Sequence, residues 1–482
     1  MRGAETICNW KTPIFDAIKA YTDSNPLPFH MPGHKLGKGI PSRFKSGIEK
    51  LDLTEIPDTD NLHVPTGVVK EAQELAAEAF GAQMSFFLVN GSTVGLHAAI
   101  SAVCEPGRRL IVGRDSHRAV INGMLMAGVK PYYILPGFSG EYGINTGITP
   151  EAVEKALAEA PDSAGVLITR PSYYGICSDI AKISEIVHAH GKILIVDEAH
   201  GAHLVFNRRL PVCALEAGAD LCIQSAHKTL PAFTQGAYLH IGSERVDKER
   251  VRYFLDIYQT TSPSFIIMAF LDIAREIMQK NGEEALDRLI DSISLYGENV
   301  EDCGIRLLNA QKLPGFRHDP TRVVANLAGI GISGFYAEKL LRKNNNIQAE
   351  MSDLNNIVFI TTVADGPETV EYLFRALRGL AHFRGESNHG AASLAKQLEI
   401  PEQAMEPSEV LNTGVKRVPL KDAAGHVSRN IIAPYPPGIA VICPGEKFSA
   451  DTVELLSEII AAGGTVQGVD EEGAVLVAAD RK

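Results

Sequence analysis

The chain has 482 residues, 45% hydrophobic and 22% charged, with a formal charge of −12 and no lysine/arginine block. That length supports two or three structural units around one large core, and the charge excludes nucleic acid as a partner. Seven scattered cysteines without CxxC spacing exclude a disulfide framework and a zinc ribbon. No apolar run reaches the length of a membrane span, and the first residues lack an apolar signal core, so a reducing cytosol is the expected compartment.

Residues 1–67 read as an N-terminal arm and loop, including the Pro-, Gly-, His- and Lys-rich "PFHMPGHKLGKG". From residue 68 the pattern turns regular. Helical spacing in "VVKEAQELAAEAFGA", "TVGLHAAISAVC", "HRAVINGMLMAG", "TPEAVEKALAEA" and "DIAKISEIVHAHG" alternates with short apolar runs. Those runs are "SFFLV", "RRLIVG", "KPYYIL", "AGVLIT", "KILIVDEA", "DLCIQSA" and "GAYLHIG". Strands apolar on both faces, alternating with helices, specify an α/β fold with a mostly parallel sheet sandwiched by helices. Residues 68–309 form this large unit, which ends in the helical "FIIMAFLDIAREIMQ" and "EEALDRLIDSISLYGENV". A small α/β unit is expected over 310–384, with strands in "TRVVANLAG" and "NIVFITTV", and a C-terminal unit over 385–482.

Ligands of open parallel sheets lie beyond the carboxyl ends of the strands, so the residues just after each strand are the candidates. In "LVNGSTVGLHAAI" a strand gives way to a helix at Asn90–Thr93, where free N–H groups, the helix dipole and the hydroxyls of Ser92 and Thr93 suit a phosphate. A plain N-cap is the alternative. His117 follows the next strand and can cap a helix or stack on a flat ring. Asp197 ends the strand of "KILIVDEAHGAH", and a carboxylate there is costly unless it meets a cation. A metal site of Asp197, His200 and His203 competes weakly, because further ligands at recognised spacing are lacking, and no metal is expected. Lys228, in "SAHKTL", stands at the end of the following strand. A phosphate cup, a ring stacker, a buried carboxylate and a lysine at one sheet edge are what pyridoxal phosphate needs. The lysine attaches the cofactor covalently, and the aspartate keeps its ring nitrogen protonated.

Several motifs then resemble one family in order along the chain: "PFHMPGHKLG", the acidic "DLTEIPDTDNLHVPTG", "SAHKTLPAFTQGA", "TTSPSF" and "YPPGIAVICPGE". They are similar to the fold-type-I pyridoxal-phosphate decarboxylases of ornithine, lysine and arginine, in the short bacterial form that lacks a response-regulator-like N-terminal wing. The resemblance implies that Lys228 carries pyridoxal 5'-phosphate, Asp197 partners its nitrogen and His117 stacks on its ring. It further implies that Ser92, Thr93, Ser225 and His227 bind the phosphate. His200 stands where larger members carry an aromatic residue. Lys228 or His227 is the expected proton donor to Cα.

A homodimer or higher homo-oligomer is the family expectation, with Thr261 or Ser262 reaching the neighbour's phosphate. Glu446, after the proline-stiffened "YPPGIAVICPG", is the carboxylate expected to hold the distal cation of a basic amino acid, with Asp52, Glu55, Asp58 and Asp60 of the acidic loop as further candidates. Arginine ranks first as substrate, lysine second and ornithine third. The alternative, an α-oxoamine synthase-type acyltransferase, rests on "VDEAHGAH". An aminotransferase is disfavoured because no carboxylate-clamping arginine stands out late in the chain, and a non-catalytic binding protein would have no need of Lys228 and Asp197.

Overall fold

A computed structural model describes residues 11–386, 399–435, 438–461 and 463–479. Cys8 and the two prolines of "YPPG", Pro436 and Pro437, lie outside the described residues.

The segment read as an arm contains helix α1 (Pro13–Asp23) and strand β1 (Leu27–Phe29). The large unit supplies strands β2 (Met84–Leu88), β3 (Arg109–Gly113), β4 (Lys130–Ile134), β5 (Gly165–Thr169), β6 (Ile193–Asp197), β7 (Leu221–Gln224) and β8 (Ala237–Ile241). They form one sheet in the order β2-β8-β7-β6-β5-β3-β4. Pairing is parallel except for β8, which runs antiparallel to both neighbours. Successive side chains of a strand point to opposite faces, and here both faces are covered. Leu194 and Val196 enter one hydrophobic cluster while Ile195 enters another, all at 0% exposure. That double burial explains why the strands read as unbroken apolar runs.

Strand order reverses between β3 and β5, which opens a crevice at their carboxyl ends. Helices α2 (Val68–Phe80), α3 (Gly91–Val103) and α4 (Arg118–Ala127) belong to the same unit. A second, four-stranded sheet has the order β9 (Arg306–Leu307), β10 (Arg322–Asn326), β13 (Asn356–Ile360), β12 (Met351–Ser352), all antiparallel. Strand β11 (Ile347–Ala349) pairs in parallel with β1 as a separate two-stranded sheet, so the arm is tied to the segment that leads into β12 of the second sheet.

The arm also lies against the segment that follows β7. Gly33 N donates to His227 O at 2.7 Å, and a Cβ added at Gly33 would sit 2.5 Å from Leu230 O. Only glycine permits that approach. Lys35 is buried nearby, its Nζ donating to the carbonyls of His30 (3.0 Å) and Ile360 (2.7 Å). The "HMPGHK" stretch, read as loop, is thus a wedge between the two sheets.

The C-terminal unit packs Val418, Ile432, Ile442, Leu456, Val475 and Val477 into its own core. It is clamped to the large unit by Arg114, which follows β3. Arg114 Nη2 donates to Glu446 Oε2 at 2.7 Å and to Val441 O at 3.0 Å, and Cys443 N donates to the same Glu446 oxygen at 2.6 Å. Both side chains are no more than 1% exposed. This corrects the assignment of Glu446 to a substrate cation: its carboxylate is already neutralised, inside the joint between two units. Removing one partner of a buried pair leaves the other charge uncompensated, at a cost of about 3–5 kcal/mol. Glu446→Gln is therefore expected to lose about that much stability, read as a lower urea midpoint. A variant as stable as the parent would return Glu446 to the ligand contacts.

Candidate active site

A cavity of about 260 Å³ opens at the carboxyl ends of the central strands, walled by residues from all three units. Lys228 lies on the short helical turn Ala226–Thr229 that follows β7. Its Nζ is 3.0 Å from His200 Nε2. Burial lowers the Lys228 pKa, with Asp197 and Glu350 opposing and Arg322 adding to the fall.

Asp197, on the neighbouring strand end, is 2% exposed, and its one side-chain hydrogen bond among the described residues comes from Ala199 N at 3.2 Å. Burial raises its pKa, and Lys228 counters. Asp115, two residues after β3, also faces the cavity. Burial pushes it up to about 6, with Asp197 adding to the rise, and its Oδ1 has no partner among the described residues.

Ser225 Oγ donates to Ser92 Oγ at 2.8 Å at the head of α3, whose first N–H groups have no intrahelical acceptor. Thr93 is exposed and is not brought to the cavity wall. His117 is the cap of α4, with Nδ1 accepting from Ala119 N at 3.2 Å, and it also lines the cavity. Burial pulls its pKa down to about 4. His227 is paired through Nδ1 with Gly236 O at 3.1 Å and is not among the wall residues.

His200 and His203 diverge. His200 joins Lys228 and, through Nδ1, Arg322 Nη2 at 3.1 Å; His203 Nε2 sits 3.1 Å from Asp319 and from Thr321 Oγ1. Asp197 and the two histidines therefore make no common ligand set. In the acidic loop, Asp52 and Asp58 are exposed, and none of the four carboxylates reaches the cavity. Asp60 instead accepts from Thr66 N, Gly67 N and Val69 N at the start of α2.

Four residues escaped the sequence reading. Besides Asp115, Arg322 on β10 reaches His200 from the second sheet. Tyr174 and Asp353 form a wall of the cavity, with Tyr174 OH donating to Asp353 Oδ2 at 2.7 Å. The remaining donors to Asp353 are also neutral: Asn355 N and Asn356 N at 2.8 Å and Asn356 Nδ2 at 3.0 Å. Its pKa is raised by burial. The aspartate in "SDLNN" has the turn signature of a carboxylate accepting from the backbone two residues on, but nothing local shows that it faces Lys228.

Comparison with known proteins agrees with this geometry. The profile described as Orn/Lys/Arg decarboxylase, major domain, matches residues 12–312, and that of the Orn/Lys/Arg decarboxylase C-terminal domain matches 390–470. The chain is 34% identical over 470 residues to an arginine decarboxylase of Bacillus subtilis, covering 96% of both proteins. It is 36% identical over 475 residues to one of Halalkalibacterium halodurans, again covering 96% of both. Among solved structures, lysine decarboxylase A from Pseudomonas aeruginosa superposes with a TM-score of 0.78 at 20% identity, covering 98% of this chain and 78% of that one. Both domains of one family, matched in order along a chain whose parallel sheet is that of fold-type-I enzymes, settle the classification. The protein belongs to the Orn/Lys/Arg decarboxylase family of pyridoxal-phosphate enzymes.

Proposed function

We propose that the protein decarboxylates arginine to agmatine, with lysine and ornithine as second- and third-ranked substrates, and that Lys228 attaches the cofactor. The observation that carries this reading is the facing of Lys228 and Asp197 across one buried cavity from adjacent parallel strands. The residues fit pyridoxal phosphate. Among the described residues Asp197 has no cationic hydrogen-bond partner, which suits a protonated ring nitrogen, and the paired hydroxyls of Ser92 and Ser225 stand at a helix N-terminus suited to a phosphate. Names of relatives at 34–36% identity support arginine.

Bound pyridoxal phosphate supplies an electron sink for the pair left when the Cα–carboxylate bond breaks. Everything else belongs to the chain. Asp197 would hold a proton on the ring nitrogen, and His117 would lie against the ring. Lys228 would hold the cofactor covalently and, as a free amine, would return a proton to Cα, a task for which it is better placed than His227 because it lines the cavity. Ile439, Val441 and Ile459 make part of the wall apolar. A carboxylate there gives up its charge on leaving as carbon dioxide, so a dry wall favours the product over the ion.

Asp353 takes the role that Glu446 cannot. It is a carboxylate on the cavity wall whose hydrogen-bond donors are all neutral, so a substrate guanidinium would be its first cation. The planar fork of a guanidinium matches a carboxylate better than an ammonium does.

The same reading takes the protein as a homodimer in a reducing cytosol. Helix α1 buries none of its residues and exposes Ile14, Phe15 and Ile18 by 77, 63 and 59%. Thr261 and Ser262, on an exposed loop, are free to reach a partner's phosphate. The cysteines of the described residues are unpaired.

Lys228→Ala is expected to abolish carbon dioxide release and the visible absorbance of bound cofactor while leaving the circular dichroism of the fold unchanged. Release at the parent's rate would overturn the assignment. Asp353→Asn keeps the shape but removes the anion. Its expected effect is a rise in KM for arginine of roughly 10- to 100-fold, the worth of a hydrogen bond to a charged group, with kcat changed far less. Steady-state kinetics on arginine, lysine and ornithine checks this. An unchanged KM would remove Asp353 from the substrate contacts, and faster turnover of lysine would overturn the ranking.

A further inference from the structure

Arg322 imposes a direction on the hydrogen bonds that end at Lys228. It is 1% exposed, and its guanidinium has donors but no acceptor. Nη2 stands 3.1 Å from His200 Nδ1, whereas Nε and Nη1 find no acceptor among the described residues. His200 Nδ1 must therefore present a lone pair. A neutral imidazole with a bare Nδ1 carries its hydrogen on Nε2, and Nε2 is 3.0 Å from Lys228 Nζ.

A donor facing Nζ requires a lone pair on Nζ, which an ammonium does not have. A charged Lys228 would need Nε2 as an acceptor, placing the imidazole hydrogen on Nδ1 against the donors of Arg322. The two arrangements exclude each other.

We propose that Arg322 is a positioning residue that, by pinning the tautomer of His200, holds Lys228 as the free amine that captures the cofactor aldehyde. The inference rests on the reading of Lys228 as the attachment lysine. In that capture the amine lone pair forms the new carbon–nitrogen bond. The carbonyl oxygen departs as water with the two amine hydrogens, leaving a carbon–nitrogen double bond, and neither oxidant nor reductant is needed.

The charges around the pair are consistent with this. Lys228 is faced by Asp197 from the end of β6, Glu350 from between β11 and β12, and Arg322 from β10. The two carboxylates favour the ammonium; burial, the largest influence, and Arg322 favour the amine. Glu350 is already engaged by Met31 N at 2.9 Å and by the Tyr173 hydroxyl. His200 is faced by Lys228, Arg322, His117 and His227, with no carboxylate among them, and burial keeps its imidazole neutral. Tyr173 packs edge-on at 4.7 Å and holds the ring in place.

The test strips the holoenzyme of cofactor and follows recapture of pyridoxal phosphate by visible absorbance as a function of pH. In Arg322→Gln, whose amide can accept as well as donate, the tautomer is released. The midpoint for capture is expected to rise by about one pH unit or more, which slows capture about tenfold at a pH below both midpoints. Arg322→Lys, another pure donor, should keep the parent's midpoint. His200→Gln, which offers an acceptor to an ammonium while leaving Arg322 intact, should show the same upward shift and decides the matter should Arg322→Gln not fold. Nitrogen-15 spectra of the parent apoenzyme should show His200 bare at Nδ1 and protonated at Nε2. Midpoints unchanged in Arg322→Gln or His200→Gln, or a hydrogen on Nδ1, would overturn the relay alone. Absence of cofactor on Lys228 after borohydride reduction and peptide mapping of the parent would overturn the attachment assignment and the relay together.

Discussion

Keeping a lysine amine inside a protein beside a carboxylate is the constraint on which the rest of this structure depends. Water normally solvates both groups, and burial charges each of them several kcal/mol unless neighbours replace that solvation. Lys228 and Asp197 sit at the ends of adjacent parallel strands, and the register of β6 with β7 sets their approach. Because β6 and β7 are central, both faces of the sheet are occupied by apolar clusters and water is kept from the strands. The charge must then be balanced from outside the large unit. Arg322 comes from the second sheet through His200, and Glu350 comes from the turn between β11 and β12.

That requirement explains why three units converge on one cavity. The arm runs from its parallel pairing with β11 to the Gly33–His227 backbone bond, so it ties the segment that leads into the second sheet to the lysine segment through main chain, a link that depends on Gly33 having no side chain. The C-terminal unit is tied by charge instead. Arg114 is fixed by β3 and lies next to Asp115, so a clamp on Glu446 also holds Asp115 against the cavity. Losing the clamp would therefore disturb the site without any contact between Glu446 and a ligand.

The central sheet was legible in the sequence because its strands are buried on both faces and read as unbroken apolar runs. Lys228, Asp197, His117 and Ser92 were legible because each follows a strand, where the fold class puts its ligands. What escaped was tertiary. Arg322 is an ordinary arginine opening an apolar strand, and only the approach of the second sheet turns it toward His200. Glu446 was read as a ligand because a stiff Pro/Gly loop precedes it; its partner Arg114 lies more than three hundred residues earlier and left no local trace. Helix α1 and strand β1 escaped because α1 buries nothing and β1 has three residues whose partner strand lies far along the chain.

Asp197 and Asp353 differ in their donors, and on the proposed reading that difference would orient a substrate with two basic ends. Asp197 is faced by Lys228 and, on the proposed reading, is reserved for the ring nitrogen of the cofactor. Asp353, held by Tyr174, Asn356 and backbone N–H groups, has fixed geometry and no cationic donor among the described residues. Donors that are neutral immobilise a carboxylate without cancelling its charge, so Asp353 is preorganised and still attractive to a guanidinium. A substrate entering with its side chain toward Asp353 presents its α-amine toward Lys228. In the reverse orientation the guanidinium would lie toward Lys228 and His200, with the cationic Arg322 behind them, while Asp353 would gain no cation. On that reading, discrimination between the two ends of the molecule would follow from the anion at Asp353 and the cation at Arg322, and Arg322 would contribute to it without touching the substrate.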